Sequence, residues 1–191
     1  MADETVTNDA CSFDEIHTEN LGYCPNNDTV GGVRLTVKYI PMAQADVTLP
    51  TVTNESKYGE RITLPATGIK PKTGKGFKKI IILVDEGELK PSLVGAKGNK
   101  KMKVDFTCLI PNFVKENVGF MDAHRNTPLL LVIEDSTGQP WAILDAFFSE
   151  ATGTTAKTYE ENSGWTVTLS ANSKLYAYDG EIAVLPDAET P

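Results

Sequence analysis

The sequence has few of the residues on which enzymes and disulfide-stabilised proteins depend. Its 191 residues include three cysteines and two histidines. Cys11, Cys24 and Cys108 are far apart and form no Cys-x-x-Cys pair, which argues against a zinc site or a disulfide framework. His17 and His124 are also distant from each other in sequence. We interpret each histidine as a polar surface residue and not as a metal ligand.

Long hydrophobic runs are absent as well. The longest ones, at 80–84 and 129–133, are far too short to cross a bilayer. The N-terminus is acidic and lacks the apolar segment of a signal peptide. The sequence therefore predicts a soluble protein that is made in a reducing cytoplasm.

Basic residues are missing from the first 33 positions, which carry seven acids. Ten of the eighteen Lys and Arg residues lie between 70 and 103, against three acids, so this window has a charge of +7 and the rest of the chain −15. The total of −8 argues against a general nucleic-acid binder. Phe77 is the only aromatic residue in the basic window, so base stacking has little support. A basic segment on an acidic chain suggests self-association, in closed rings or in filaments.

Enzyme signatures are not found either. The stretch GIKPKTGKGF contains Gly-Lys, but Gly68 and Gly74 are one residue too far apart for a phosphate-binding loop. Gly76 also stands where that loop needs a hydroxyl residue. Adjacent carboxylates occur at 134–135 and 160–161, both at predicted turns, where acids are typical turn formers. We therefore predict a protein that is not an enzyme, with no catalytic residue, no cofactor and no metal.

Hydrophobic patterning predicts a mainly β protein. Alternation or apolar runs indicate strands at 33–40, 46–65 (one or two strands), 80–86, 101–110, 129–148 (a hairpin), 164–170, 174–180 and 181–185. The run at 80–86 is expected to be covered on both faces, and Pro91 in the next segment indicates a sheet edge or a bulge. In 111–126 the apolar Val114, Val118 and Met121 recur at helical spacing, which predicts the one helix. The expected fold is a β-sandwich or barrel of eight to ten strands with one packed α-helix.

Three parts of the chain are expected to differ in structure. Residues 1–32 are predicted to be an acidic, flexible N-terminal arm, 33–186 a single β domain and 187–191 a C-terminal tail. Within the domain, 66–79 is rich in Gly, Pro and Lys and predicts a long exposed loop or a hairpin arm. Cys108, Trp141 and Trp165 are expected in the core, because each lies in an apolar strand.

Several features follow one another in a familiar order. A strand leads into VDEGELKPSLVGAKGNKKMKVDFTCLIPN, and then come a Pro-led helix ending in HRN and an Asp-x-x-Gly hairpin at 135–138. The Thr- and Gly-containing segment ATGTT at 151–155 precedes a Gly-led strand at 164–169. This order resembles the tube proteins of bacteriophage tails and related contractile injection systems, over about residues 33–186. In ATGTT the order of Thr and Gly differs from the usual one in that family.

The resemblance implies a tail-tube subunit that forms homohexameric rings, which stack into a hollow conduit for DNA delivery. DNA would pass the lumen without specific binding, because the acidic excess of the chain repels phosphates. Other tail proteins, such as the tape measure and the sheath or terminator, would be partners, and no membrane would be involved. The protein would reside in the virion tail after assembly in the host bacterial cytoplasm.

The resemblance also implies two contact regions. The basic loop would be an inter-ring contact arm, through Lys70, Lys72, Lys75, Phe77, Lys78 and Lys79. The Thr-rich segment would be a subunit contact, through Thr152, Thr154 and Thr155.

Three other functions stay open at the level of sequence. A tail-completion or neck protein of the same fold would differ from a tube subunit in its copy number per particle. A monomeric β-sandwich module that binds carbohydrate or a host surface would be expected to expose aromatic residues. An enzyme is the third alternative, and the sequence offers no site for one.

Overall fold

The computed structural model describes residues 16–21 and 31–186. This part of the chain contains one α-helix, α1 (Lys115–His124), and a short 3-10 helix at Met42–Gln44. The strands are β1 (Val33–Pro41), β2 (Ala45–Val47), β3 (Thr63–Leu64), β4 (Ile69–Pro71), β5 (Lys78–Ile81), β6 (Glu88–Val94), β7 (Lys101–Pro111), β8 (Leu129–Asp135), β9 (Pro140–Thr154), β10 (Gly164–Ala171) and β11 (Leu175–Tyr178). The prediction of a mainly β fold with one helix is confirmed.

The long strand β9 belongs to two sheets, which are antiparallel apart from the parallel pair of β3 and β11. Its first half, 140–146, pairs with β8, and residues 141–143 also pair with β11 on the other side. Through β8 this first sheet continues to β1 and to β5 at the sheet edge. Its second half, 147–154, pairs with β10, and the second sheet continues through β7 to β6. Asp145, with a φ of 55°, lies where the register between β8 and β9 shifts. The two halves of one strand therefore fix how the two sheets meet.

Two hydrophobic cores lie on opposite faces of the first sheet. In β8, Leu129, Leu131 and Ile133 belong to the core between the sheets, which we call the first core. Leu130 and Val132 point the other way, into a second core to which residues of β3, β4 and β11 also contribute. Burial on both faces accounts for the continuous apolar run in β8.

The apolar run at 80–86 behaves differently, and the prediction that it is covered on both faces is wrong. β5 ends at Ile81 and pairs only with β1. Ile82 is buried, but Ile81 and Val84 expose 47% and 58% of their surface. A β-branched run has the same composition at the edge of a sheet as in its centre, so the sequence pattern does not distinguish the two positions.

Helix α1 covers one end of the first core. The ring centroid of Phe120 lies 5.3 Å from that of Tyr39 and 6.0 Å from that of Phe148, and Met121 is buried. The predicted helix is confirmed, although it begins at Lys115, because β7 continues through residue 111.

The buried side of α1 is only partly the predicted one. Val114 and Val118 expose 42% and 41% of their surface, whereas Phe120 packs against the first core beside Met121. Two valines at helical spacing thus lie on the solvent side, and the core-facing side is aromatic.

Two further strand predictions are partly right. The range 46–65 contains most of β2 and all of β3, with turns between them. The predicted strand at 181–185 is reduced to a single parallel bridge between Val184 and Phe77. Each region contributes less regular structure than its alternating sequence indicates.

Most of the predicted arm, 1–15 and 22–30, lies outside the described residues, as does the predicted tail 187–191. The described stretch 16–21 has defined contacts. The backbone N–H of His17 donates to the carbonyl of Asn54 (2.8 Å), and the backbone N–H of Tyr58 donates to the Glu19 carboxylate (2.7 Å). These two bonds place 16–21 against the loop that precedes β3.

Cys108 is a core residue, as predicted, while Cys11 and Cys24 lie outside the described residues. Burial raises the pKa of the Cys108 thiol from 9.0 to about 12. The folded protein therefore keeps this proton where the unfolded chain loses it, so the contribution of the thiol to stability falls as the pH rises from 9.0 to about 12.

We expect Cys108 to resist alkylation by iodoacetamide in the native protein at mildly alkaline pH and to react fully after denaturation. A Cys11→Ser/Cys24→Ser variant isolates this thiol, and mass spectrometry counts the modified groups. Rapid modification of the native variant would contradict the buried position.

Candidate assembly surfaces

The basic segment 66–79 is fastened to the body of the protein. β4, within this segment, pairs with β2. Beyond β4, the backbone N–H of Lys72 donates to the carbonyl of Gln44 (2.9 Å), and its ammonium group donates to the carbonyl of Ala43 (2.9 Å). The exposed turn 72–75 is closed by a bond from the Lys75 N–H to the Lys72 carbonyl (2.8 Å). The prediction of a long exposed loop is therefore wrong, since the exposed part is a short turn.

Phe77 does not belong to that exposed turn. Its side chain is 1% exposed and packs in the second core, and its carbonyl accepts the N–H of Leu185 (2.8 Å). The Lys78 ammonium group donates to the carbonyls of Leu185 (3.1 Å) and Pro186 (2.8 Å). The prediction of Phe77 as an inter-ring contact is contradicted by its burial. The exposed members of the predicted arm are Lys70, Lys72, Lys75 and Lys79.

The predicted subunit contact lies at the end of β9. Thr152 and Thr154 are in the strand and pair with β10, and Thr155 follows it. All three residues are exposed. β8 pairs with β9 only as far as Ala146. Within the described part of the chain, 147–154 therefore has β10 on one side and no strand on the other, and we call this open side the β9 edge.

An apolar patch lies beside the β9 edge. The rings of Phe113 and Trp165 stack at a centroid distance of 5.8 Å and an angle of 12°, directly against Gly153 of β9. Phe113 leads into Val114 and Val118, and all three are exposed. We call Phe113, Val114 and Val118 the apolar patch. Trp165, predicted to be a core residue, packs against the first core, as does Trp141.

Gly153 is required by this packing. A Cβ at this position would lie 2.7 Å from the Phe113 ring and 2.8 Å from the Trp165 ring. We expect Gly153→Ala to lower the free energy of unfolding by about 1–3 kcal/mol, the usual cost of overpacking.

Gly119→Ala is the matched control for this substitution. Gly119 lies inside α1 with open space around it, so alanine there should stabilise the protein by up to about 1 kcal/mol. Urea denaturation measures both variants, and equal effects of the two would contradict the packing argument.

The other open side of the second sheet is β6, which pairs with β7 and, among residues 16–21 and 31–186, with no other strand. We call it the β6 edge. Pro91 lies in this strand and has no N–H to donate, and the edge position predicted from it is confirmed. Leu93 and Val94 are exposed on the same strand.

The outer face of the second sheet, turned away from the first core, is mainly polar. The hydroxyls of Thr107 in β7 and Thr168 in the neighbouring β10 lie 3.2 Å apart. The Ser170 hydroxyl donates to the Asp105 carboxylate, and Lys103 Nζ lies 2.9 Å from a carboxylate oxygen of Asp105. The bond from Ser170 and the charge of Lys103 hold the pKa of Asp105 below its usual value. The polar residues of this outer face are Glu88, Lys90, Ser92, Lys101, Lys103, Asp105, Thr107, Glu150, Thr152, Thr154, Thr166, Thr168 and Ser170, and the register places the apolar Val94, Leu109 and Phe147 on the same face.

The acids at the two predicted turns act as turn formers. The Asp135 carboxylate accepts the backbone N–H groups of Thr137 (2.9 Å) and Gln139 (3.0 Å) and the indole N–H of Trp141 (2.9 Å). The Glu161 carboxylate accepts a backbone N–H in its own turn in the same way. Through these hydrogen bonds the two carboxylates close their turns.

The histidines lie in unlike surroundings. The His124 ring is half-buried against Tyr39 and Phe120, and burial lowers the pKa of its imidazole. Its interpretation as a surface residue is therefore corrected.

Residues 16–21 and 31–186 contain no group of three or more His, Cys, Asp or Glu side chains that could hold a metal ion. The helices in the same ranges are too short or too polar to cross a membrane.

No protein-family model, no curated protein and no solved structure matches this chain. What the protein does must therefore be inferred from its surfaces.

Proposed function

We propose that this chain is a subunit of a phage tail tube, which forms homohexameric rings that stack into a hollow conduit for DNA. The observation that carries the proposal is the second sheet. Among the described residues it has four strands and is open on both sides, at the β9 edge and at the β6 edge. An open edge presents unpaired N–H and C=O groups with which a strand of another copy can pair.

The two edges are different surfaces, so a contact between them is head-to-tail. When the β9 edge of one copy joins the β6 edge of the next, the pair again has one free edge of each kind. A constant rotation between copies then closes a ring. With strands about 4.8 Å apart, six four-stranded sheets give a circumference of roughly 115 Å and a diameter of about 37 Å at the backbone. A lumen of that width accommodates duplex DNA.

The outer face of the second sheet suits the wall of such a lumen. It is rich in hydroxyl groups, and its three carboxylates balance its three ammonium groups, those of Lys90, Lys101 and Lys103. Lys103 is paired with Asp105, which reduces its attraction for phosphate. A wall of this kind does not hold DNA by releasing counterions, as a basic wall would. The acids proposed to face the lumen are Glu88, Asp105 and Glu150.

The β9 edge supplies both polar and apolar contacts for a neighbouring copy. Thr152, Thr154 and Thr155 are exposed at its end, and the apolar patch lies beside it. Interfaces of stable assemblies combine a strand or side-chain hydrogen-bonding network with exposed apolar residues of this type. The exposed lysines of the turn 72–75 are proposed to contact the next ring. Tape-measure and sheath or terminator proteins, and a place in the virion tail, follow from the same proposal.

Negative-stain electron microscopy of the purified protein, with mass photometry at rising concentration, tests the proposal. We expect rings or hollow tubes with six-fold symmetry and masses in steps of six subunits. A strict monomer at the highest concentration would contradict ring formation. That outcome would favour a tail-completion or neck protein, or a monomeric binding module.

A further inference from the structure

A second surface, at the hairpin end of β6 and β7, has a strong positive charge. It is a cleft of about 580 Å³ between the loop before β3, the tip of the β6–β7 hairpin and the loop between β10 and β11. Its charged lining residues are Arg61, Lys100, Lys101 and Lys174, and none of the described Asp or Glu residues lines it. We call it the basic cleft. Four cations without a carboxylate among them repel one another, so the cleft favours an acidic ligand.

The basic cleft also has apolar walls. Tyr58 and Leu93 line it, together with Ile62 and Met102. Leu93 exposes 64% of its surface, so this apolar wall is available to a ligand. A suitable ligand is therefore both acidic and partly apolar, which describes a peptide better than the backbone of a nucleic acid.

The chain contains a segment with this composition next to the cleft. Residues 1–15 carry five acids and no Lys or Arg, and they include Val6 and Phe13. The chain that follows is bound at the cleft rim, because the backbone N–H of Tyr58 donates to the Glu19 carboxylate (2.7 Å). The rings of His17 and Tyr58 are also in contact, at a centroid distance of 6.2 Å.

We infer that the acidic segment 1–15 binds in the basic cleft of its own chain. Fifteen residues span at most about 50 Å, and residue 16 begins beside the cleft, so the segment reaches it without strain. Tethering at the rim gives the segment an effective concentration on the order of millimolar, which favours its own cleft over that of another copy. The contact does not depend on ring formation, since both partners belong to one chain.

Zero-length carbodiimide cross-linking of the full chain tests the inference, because it joins carboxylates only to amines in direct contact. We expect links from acids of 1–15 to Lys100, Lys101 or Lys174. Links should be several-fold fewer in high salt, which screens exposed charges. Links formed equally to Lys70, Lys75 and Lys79 would indicate diffuse attraction and would overturn the inference.

An equal mixture of ordinary and ¹⁵N-labelled protein, cross-linked at low concentration, identifies the source of the segment. Links within one isotope support binding in the same chain. Links that join the two isotopes would assign the segment to a neighbouring copy and overturn the inference as stated. Short duplex DNA is then added at a concentration equal to that of the protein. If the cross-links disappear, DNA is the preferred ligand of the basic cleft, and the inference that the acidic segment is its ligand is overturned.

A pair of charge-matched variants gives a second readout in the full chain. Lys100→Glu/Lys101→Glu reverses two charges of the cleft, and Lys70→Glu/Lys75→Glu makes the same change in net charge elsewhere. We expect the first variant to lose residues 1–15 to a glutamate-specific protease about tenfold faster than the unmodified protein, because cleavage follows the unbound population. The second variant should be cleaved at the unmodified rate, and equal acceleration of both would overturn the inference.

Discussion

Replacing Phe77 with alanine is expected to lower the free energy of unfolding by about 3–5 kcal/mol, the usual cost of removing a buried aromatic ring. The side chain is 1% exposed and fills the second core. Its loss removes apolar surface and leaves a cavity that the rigid strands around it cannot fill. Guanidinium denaturation followed by fluorescence measures the effect.

Lys79→Ala is the control for Phe77→Ala. Lys79 lies two residues further along, in β5, and is exposed, so its substitution should change stability by less than about 0.5 kcal/mol. If Phe77→Ala were as stable as Lys79→Ala but failed to stack into tubes, Phe77 would be a contact between rings after all.

Charging the apolar patch is expected to abolish ring formation without unfolding the protein. In Val114→Glu/Val118→Glu both substituted side chains are exposed in the single chain, and glutamate is well tolerated in the first turn of a helix. In a ring, the two carboxylates would be buried beside the β9 edge without partners, which costs several kcal/mol. We expect the assembled fraction in mass photometry to fall at least tenfold, with an unchanged unfolding transition.

Leu49→Glu/Val52→Glu provides the matched control for the charged patch. Both residues are exposed apolar side chains in a loop remote from the β9 edge in sequence. This variant should assemble as the unmodified protein does. Rings that persist when the patch is charged, or that are lost equally in both variants, would contradict the assignment of the β9 edge as an interface.

Local pattern was enough to predict those elements whose burial alternates. β7 shows this most clearly, because every second residue from Met102 to Ile110 packs inward and the register follows from the period alone. The hairpin of β8 and β9 was equally predictable, since its turn contains Asp135 and Gly138 between two apolar strands.

Elements whose burial depends on distant parts of the chain were not predictable in this way. The runs in β5 and β8 have similar composition, but only β8 is covered on both faces, because the second core is assembled from β3, β4 and β11. Phe77 is buried by residues about a hundred positions further on, such as Tyr176 and Tyr178, and no neighbouring residue in the sequence signals that.

The candidate surfaces were foreseen only in part. The threonines at the end of β9 and the lysines near the turn 72–75 were singled out by the resemblance to tail-tube proteins, and the structure shows that they are exposed. The open edges of the second sheet were not foreseen, because an edge is defined by which strands pair with each other and not by what a strand contains. The apolar patch was missed for a related reason, since two valines at helical spacing suggested the buried side of α1.

The two halves of β9 pair with different strands, so their amide protons are expected to exchange with solvent at different rates. Amide protons of 141–143 lie between two paired strands, β8 and β11, and exchange with solvent only when the first sheet opens as a whole. In 147–154, amides that face β10 are held in the same way, whereas those on the open side exchange at once in a single copy. Capture of a neighbouring strand would slow these last amides by orders of magnitude. Hydrogen–deuterium exchange along β9 would therefore show, residue by residue, whether a molecule is a single copy or part of an assembly.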